Sequence, residues 1–141
     1  MISLSTARKL KEVGLVWTPA LHDFFAVPDR GMDNRIFVIS DVGADMDLLK
    51  GQSIVTFTGT SEWALDYVMT AEVVWMPTEE QLRQTLERHL TAGIQPVLKL
   101  IHAPDGYWCE IGFRGRTLAF RGTDASEAYA EALLYLLEEI Q

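Results

Sequence analysis

The stretch AEVVWMPTEEQLRQTLERHL, Ala71–Leu90, decides how the rest of the chain is organised. The β-branched and aromatic residues Val73, Val74 and Trp75 predict a short buried strand, which turns at Pro77 into a helix. Thr78 is the predicted N-cap of that helix, and Gln81 completes a capping box. Four residues recur at helical spacing and form its apolar stripe: Leu82, Leu86, His89 and Leu90. We expect the residues before this stretch to form one lobe and those after it another.

The composition is that of a folded domain. The 141 residues are 48% hydrophobic and include four Trp, six Phe and four Tyr, which is enough to build a core. We therefore predict a single domain over residues 1–141, with an N-terminal lobe at residues 1–77 and a C-terminal lobe at residues 78–141. Cys109 is the one cysteine, so no intrachain disulfide is expected and a reducing compartment is favoured.

Charge and hydropathy limit the partners that the chain can have. The net charge is −8, from 12 basic and 20 acidic side chains, and this opposes nucleic-acid binding, which depends on clustered positive charge. No run of residues approaches the roughly 18 consecutive apolar residues of a membrane span. We therefore expect no nucleic-acid partner, no membrane partner and a cytoplasmic location.

The C-terminal lobe is predicted to have the order α-β-β-β-α. Val97–His102, Tyr107–Phe113 and Arg116–Arg121 are β-rich runs separated by turn sequences, which indicates a three-stranded antiparallel meander. A last helix begins near Thr123 or Asp124, and its apolar stripe contains Tyr129, Ala132, Leu133, Leu136, Leu137 and Ile140. Two helices on one face of the meander would make a two-layer α+β fold. Double-stranded RNA-binding domains share this order, but here the last helix begins with acidic side chains.

The N-terminal lobe is predicted to combine a helix with a β-hairpin, on which the C-terminal lobe packs. Ser3 is the expected N-cap of the first helix, and Gly14 suits the left-handed position that ends it. The hairpin consists of Asp23–Val27 and Arg35–Ser40. Its second strand is apolar enough to be covered on both faces.

The second half of the N-terminal lobe is less regular in sequence. Asp41–Gln52 is either an irregular strand or a loop, and Ser53–Thr58 is predicted to be a strand. Thr60 is the expected cap of a short helix that continues to about Met69.

Five blocks of sequence extend over nearly the whole chain: ISLSTARKLKEVGLVW, VPDRGMDNRIFVISD, TGTSEWALD, VVWMPTEEQL and EAYAEALLYLLE. Together they resemble a family of small uncharacterised bacterial proteins, some of which carry a pilus-assembly label. The resemblance implies a shared fold and no particular activity. Pilus-assembly ATPases hold nucleotide with a Gly-Lys pair in a phosphate-binding loop, and none of the four lysines here follows a glycine.

No catalytic or metal-binding pattern stands out. Cys109 lies on the apolar face of its strand, which predicts a packed thiol instead of a nucleophile. Asp45 could open an EF-hand loop, but its sixth and twelfth positions are Lys50 and Thr56 where glycine and glutamate are required. The sequence also lacks the H-E-x-x-H and C-x-x-C patterns of zinc sites. We predict no catalytic residues, no metal and no cofactor.

Two groups of residues remain as candidate binding sites. On the side of the meander away from the helices, Trp108 has Lys99, Glu110 and Arg121 as expected neighbours, an arrangement typical of a protein-interaction surface. The alternative is that Trp108 packs internally on the N-terminal lobe. This group predicts a non-catalytic interaction or accessory module that binds a protein partner or forms a homodimer. A cleft between the lobes would instead be lined by Glu62, Trp63, Asp66 and Trp75. The second group predicts a small enzyme or a small-molecule binder.

Overall fold

The computed structural model describes residues 1–28, 35–39, 44–49, 52–57, 67–69 and 73–140. These residues form three α-helices and nine β-strands, in the order α1 (Leu4–Glu12), β1 (Phe24–Ala26), β2 (Ile36–Val38), β3 (Ala44–Leu49), β4 (Gln52–Phe57), β5 (Tyr67–Met69), β6 (Val74–Trp75), α2 (Glu79–Thr91), β7 (Leu98–Ala103), β8 (Gly106–Phe113), β9 (Arg116–Gly122) and α3 (Ala125–Glu139). The predicted α+β class and the C-terminal α-β-β-β-α order are confirmed.

The chain divides into two compact units, each described below by itself. The terminal unit consists of Met1–Leu15 and Pro77–Gln141, and the central unit is Val16–Met76. The sequence placed the whole of residues 1–77 in one lobe, whereas the structure assigns α1 to the terminal unit. The reason is that α1 packs on α3, and the Ser3 backbone N–H donates a hydrogen bond to the Glu127 carboxylate at 2.8 Å.

The meander is the sheet of the terminal unit. Its strands pair antiparallel in the order β7-β8-β9, without a break in register from Leu98↔Ile111 to Ala103↔Gly106. Side chains alternate along β8 as predicted, because successive residues of a strand point to opposite faces. Cys109 and Ile111 are fully buried on the side of the helices.

The helices of the terminal unit begin at the predicted caps. Thr78 and Gln81 form both hydrogen bonds of the capping box, and the Asp124 side chain accepts from the backbone N–H of Glu127. Helix α3 contacts β8, β9, α2 and α1, so it is covered on several sides. Its buried residues are Ala125, Ser126, Ala128, Tyr129, Ala130, Ala132, Leu133, Leu134, Leu136 and Leu137.

Two residues of the predicted stripes are exposed, and both lie at the end of a helix. His89 is in the last turn of α2, where only Leu90 remains buried. Ile140 is the C-cap of α3 and is 50% exposed. The spacing of apolar residues predicts which face of a helix is buried. It does not show where the helix extends beyond the elements that it packs against.

Two glycines are required by the backbone, one at a left-handed φ and one at a close approach between a strand and a helix. Gly14 has φ of 101°, and the Leu15 N–H bonds the Leu10 carbonyl at 2.9 Å, which is the predicted end of α1. At Gly122, a Cβ atom would lie 2.2 Å from the backbone nitrogen of Ala128. The end of β9 can therefore approach the first turn of α3 only without a side chain.

The central unit contains two small antiparallel sheets in its described part. The predicted hairpin of β1 and β2 is present, and β6 pairs with the other edge of β1, while β3, β4 and β5 form the second sheet. The expectation that β2 is covered on both faces is wrong, since Ile36 is 44% exposed and Val38 39%. β2 pairs with β1 on one side only within the described residues, and its alternate side chains face solvent.

The second sheet settles one open alternative and corrects another prediction. Ala44–Leu49 is a strand, which resolves part of the segment 41–52 in favour of strand. The helix predicted to reach Met69 is wrong at its end, because Tyr67–Met69 pairs with β4 as a strand. Aromatic and β-branched residues suit such pairing. The proposed cap, Thr60, lies outside the described residues.

Candidate functional site

The side of the meander away from the helices, here called the open face, brings the predicted residues Lys99, Trp108 and Arg121 close together. The register sets Trp108 directly between Ile101 on β7 and Arg121 on β9. The next row sets Lys99 opposite Glu110. Directly opposed residues of an antiparallel pair have Cβ atoms about 4.5–5.5 Å apart, so these side chains are neighbours.

The orientation of Trp108 is fixed by the turn that precedes β8. Its indole N–H donates to the Asp105 carboxylate at 3.1 Å. Arg121 donates two N–H groups to the carbonyl oxygen of Asp105, one of them at 2.8 Å, and its Nε lies 3.9 Å from the carboxylate. The ring and the guanidinium are therefore tied to the same residue. Sequence analysis missed Asp105, although its position three residues before a tryptophan in a P-D-G turn was a usable signal.

The open face is accessible to solvent. Ile101 is 38% exposed, Lys99 is exposed and Trp108 is half-buried. The side chains of Arg121 and Asp105 are 54% and 58% exposed. A held aromatic ring, an exposed aliphatic side chain and charges of both signs are thus arranged on one surface. That combination suits contact with another protein surface better than contact with a phosphate backbone.

The second candidate group is only partly described. Glu62, Trp63 and Asp66 lie outside the described residues, so the cleft that they were predicted to line stays a prediction. Trp75 belongs to the central unit, where its ring stacks on Trp17 with centroids 6.4 Å apart and an angle of 7° between planes. The Trp17 indole N–H donates to the buried Asp23 carboxylate at 2.9 Å. The Trp75 indole N–H is buried and has no hydrogen-bond partner among the described residues.

Cys109 is a core thiol, as predicted. It is fully buried in β8, and this burial, with a smaller effect of the Glu110 charge, raises its pKa from 9.0 to about 12. The thiol is protonated at neutral pH, and a protonated thiol is a poor nucleophile. The geometry therefore gives Cys109 no catalytic role.

A shallow depression on α2 is the remaining concave feature of interest. It has a volume of about 490 Å³ and is lined by Gln84, Glu87, Arg88 and Thr91 on the wet face of the helix. Its four lining residues are polar or charged, whereas ligand pockets are lined mainly by hydrophobic and aromatic side chains. Sequence analysis had no reason to select it, since its residues alternate with the buried stripe of α2.

The described residues offer neither a metal site nor a membrane-spanning helix. In the described ranges, no three His, Cys, Asp or Glu side chains come together in a way that could hold a metal ion. None of the helices found there is long and apolar enough to cross a membrane.

Comparison of the chain with known protein families, curated proteins and solved structures finds no match.

Proposed function

We propose that this chain is a non-catalytic protein-interaction module of the bacterial cytoplasm, and that the open face of the meander is its contact surface. The bacterial setting rests on the family resemblance, and the cytoplasmic one on the single cysteine and the hydropathy of the sequence. The observation that supports the contact surface is the half-buried Trp108 ring, tied to Asp105 and set between Ile101 and Arg121.

The physical argument concerns the cost of binding. Association loses free energy when mobile side chains are immobilised, at about 0.5–1.5 kcal/mol each. Trp108 and Arg121 are already held by Asp105 in the free protein, so little of that cost remains for them. Trp and Arg are also the residues that most often contribute large shares of binding energy at protein interfaces.

The substitution Trp108→Ala tests this proposal. Loss of an interface anchor typically costs ~2 kcal/mol or more, which is roughly a 30-fold loss of affinity. We expect the variant to keep the thermal stability of the wild type and to lose proteins that co-purify with the wild type from the native host. Ile94→Ala is the matched control, because Ile94 is 96% exposed and lies in the loop before β7, outside the strands of the meander.

Two outcomes would contradict the proposal. One is a set of co-purifying proteins that is the same for Trp108→Ala, Ile94→Ala and the wild type. The other is destabilisation of Trp108→Ala by ~3–5 kcal/mol, the cost of removing a buried core aromatic, because Trp108 would then serve the fold.

One observation favours a second candidate function, small-molecule binding in the central unit. A buried N–H without a partner has lost its hydrogen bonds to water, at a cost of ~1–3 kcal/mol, and a ligand oxygen near Trp75 would restore one. A fragment screen that measures the shift in melting temperature tests this. Trp75→Phe is the comparison variant, because it keeps an aromatic ring and lacks the N–H donor. Small-molecule binding at Trp75 is contradicted if a fragment stabilises the wild type and Trp75→Phe equally, or if no fragment stabilises the wild type.

A further inference from the structure

Strand β7 leaves one edge of the meander unpaired within the described part of the chain. The sheet order is β7-β8-β9, so β7 has a partner on one side only. Gly112 donates its N–H to the Val97 carbonyl at 3.1 Å, and the register places these two residues opposite each other. Hydrogen-bonded pairs alternate along an antiparallel ladder. The N–H and C=O groups of Leu98, Leu100 and His102 therefore point away from β8, along the free edge.

This edge is only lightly protected against pairing with another chain, by Lys99 within it and by Pro96 and Pro104 beside it. Natural edge strands are blunted by charges, prolines or bulges. β7 pairs with β8 without a bulge, and Lys99 is the one Lys, Arg, Asp or Glu among its six residues. Leu100 is 37% exposed on the helix side of the edge, and Ile101 is 38% exposed on the open face. Both faces of the edge thus offer apolar surface beside free backbone groups.

Two prolines limit the segment that can pair, and they do so symmetrically. Pro96 and Pro104 flank β7, each four residues from Leu100. Because proline has no N–H, it cannot donate to a ladder, and pairing ends at each proline. A strand that pairs antiparallel with its own copy about Leu100 meets a proline at both ends.

We propose that a second copy of this chain occupies the edge, with β7 pairing antiparallel to β7 about a two-fold axis at Leu100. Leu100 then faces Leu100, Leu98 faces His102 of the second copy, and every outward backbone group of the three residues gains a partner. Lys99 faces Ile101 of the second copy, so like charges do not meet directly. The two meanders join into one six-stranded antiparallel sheet with the helices of both copies on the same side.

This inference goes beyond the proposed function, because it depends on the backbone of β7 and not on Trp108. Residues that face each other across a strand pair lie on the same side of a sheet. The dimer contact at Leu100 is therefore on the helix side, opposite to the Trp108 ring. The open faces of both copies stay accessible and become continuous, which presents two Trp108 anchors on one surface.

Sedimentation of charge variants tests the symmetry of the contact. We expect the wild type to sediment as a dimer, at twice the 15.9 kDa of one chain. Leu100→Lys and Leu100→Glu should each be monomeric, since each places like charges together at the axis, and an equal mixture of the two should recover the dimer. Ile94→Lys is the control for an added charge, and we expect it to remain dimeric.

Cysteine cross-linking gives a second measurement if a charge at position 100 prevents folding. Hydrogen-bonded antiparallel pairs have Cα atoms about 5.5 Å apart, a separation that a disulfide spans. Leu100→Cys should therefore form a covalent dimer under mild oxidation. Leu98→Cys should not, because four residues along the strand, ~13 Å, separate it from its own copy. Cys109 is buried and does not compete.

The contact is overturned by a monomeric wild type at high protein concentration, by a folded Leu100→Lys that stays dimeric, or by equal cross-linking at positions 98 and 100. Trp108→Ala separates the two proposals. A dimeric variant that no longer retains co-purifying proteins supports both, and a monomeric one overturns the assignment of the dimer to β7.

Discussion

The terminal and central units obtain their order in different ways. In the terminal unit, long strands carry aliphatic residues under two helices, and α3 is buried on several sides. In the described part of the central unit, β1, β2 and β6 are two or three residues long, and the buried aliphatic residues, such as Val27, Ile39 and Val74, are accompanied by a group of aromatic rings. Trp17, Phe25, Phe37 and Trp75 form that group, with ring centroids 5.6–6.4 Å apart. We expect the stability of the terminal unit to fall when a buried leucine is shortened. Substitution of an exposed strand residue in the central unit should change stability little.

The largest expected effect comes from the leucine layer. Leu136 is 1% exposed, and Leu136→Ala should lower the free energy of unfolding by ~2–5 kcal/mol, because it removes buried methylenes and leaves a cavity. Thermal unfolding followed by circular dichroism measures this. In the central unit, Ile36→Ala removes a side chain that is 44% exposed, and we expect a change of about 0.5 kcal/mol or less. Equal effects of the two substitutions would remove the contrast between the units.

A smaller effect is expected where β9 meets α3. Gly122→Ala would place a Cβ atom 2.2 Å from the Ala128 nitrogen and 2.7 Å from the Glu127 carbonyl carbon, and backbone would have to move. Overpacking of this kind costs ~1–3 kcal/mol. Gly93→Ala is the matched control, since its nearest contact is an ordinary 3.4 Å and no strained φ is involved. If chemical denaturation gives both variants the same midpoint, the close approach at Gly122 is unimportant for stability.

A last comparison concerns the pH dependence of stability, where no effect is expected at neutral pH. The folded pKa of Cys109, about 12, lies above its ordinary value of 9.0, so the folded state holds the thiol proton more tightly than the unfolded state does. The stabilisation is complete below pH 9 and is lost as pH rises towards 12. We expect Cys109→Ala to flatten this alkaline fall relative to the wild type in urea titrations at several pH values. A slope that is unchanged in the variant would mean that other groups cause the fall.

Local signals account for what the sequence could predict. Ser3, Thr78 and Asp124 cap the three helices as expected, because a cap acts through a hydrogen bond to a backbone group two or three residues away. The meander was readable because its turns are short and its strands alternate. These features need no knowledge of distant parts of the chain.

Long-range pairing accounts for what could not be predicted. Tyr67–Met69 is a strand because it pairs with β4, and the sequence of these three residues alone does not indicate that pairing. The tie from Asp105 to Arg121 joins residues 16 apart and depends on the register of β8 and β9. The place of α1 depends on Glu127, whose carboxylate accepts from the Thr6 hydroxyl at 2.9 Å across 121 residues.

The bond between Ser3 and Glu127 spans 124 residues, and the whole of the central unit lies inside that span. The entropy of closing such a loop grows only with the logarithm of its length, by about 0.6 kcal/mol for each doubling. A change in the length of the segment between Leu15 and Pro77 therefore alters the loop-closure entropy of the terminal unit only slightly. The central unit is an insertion into the sequence of the terminal unit, between α1 and α2.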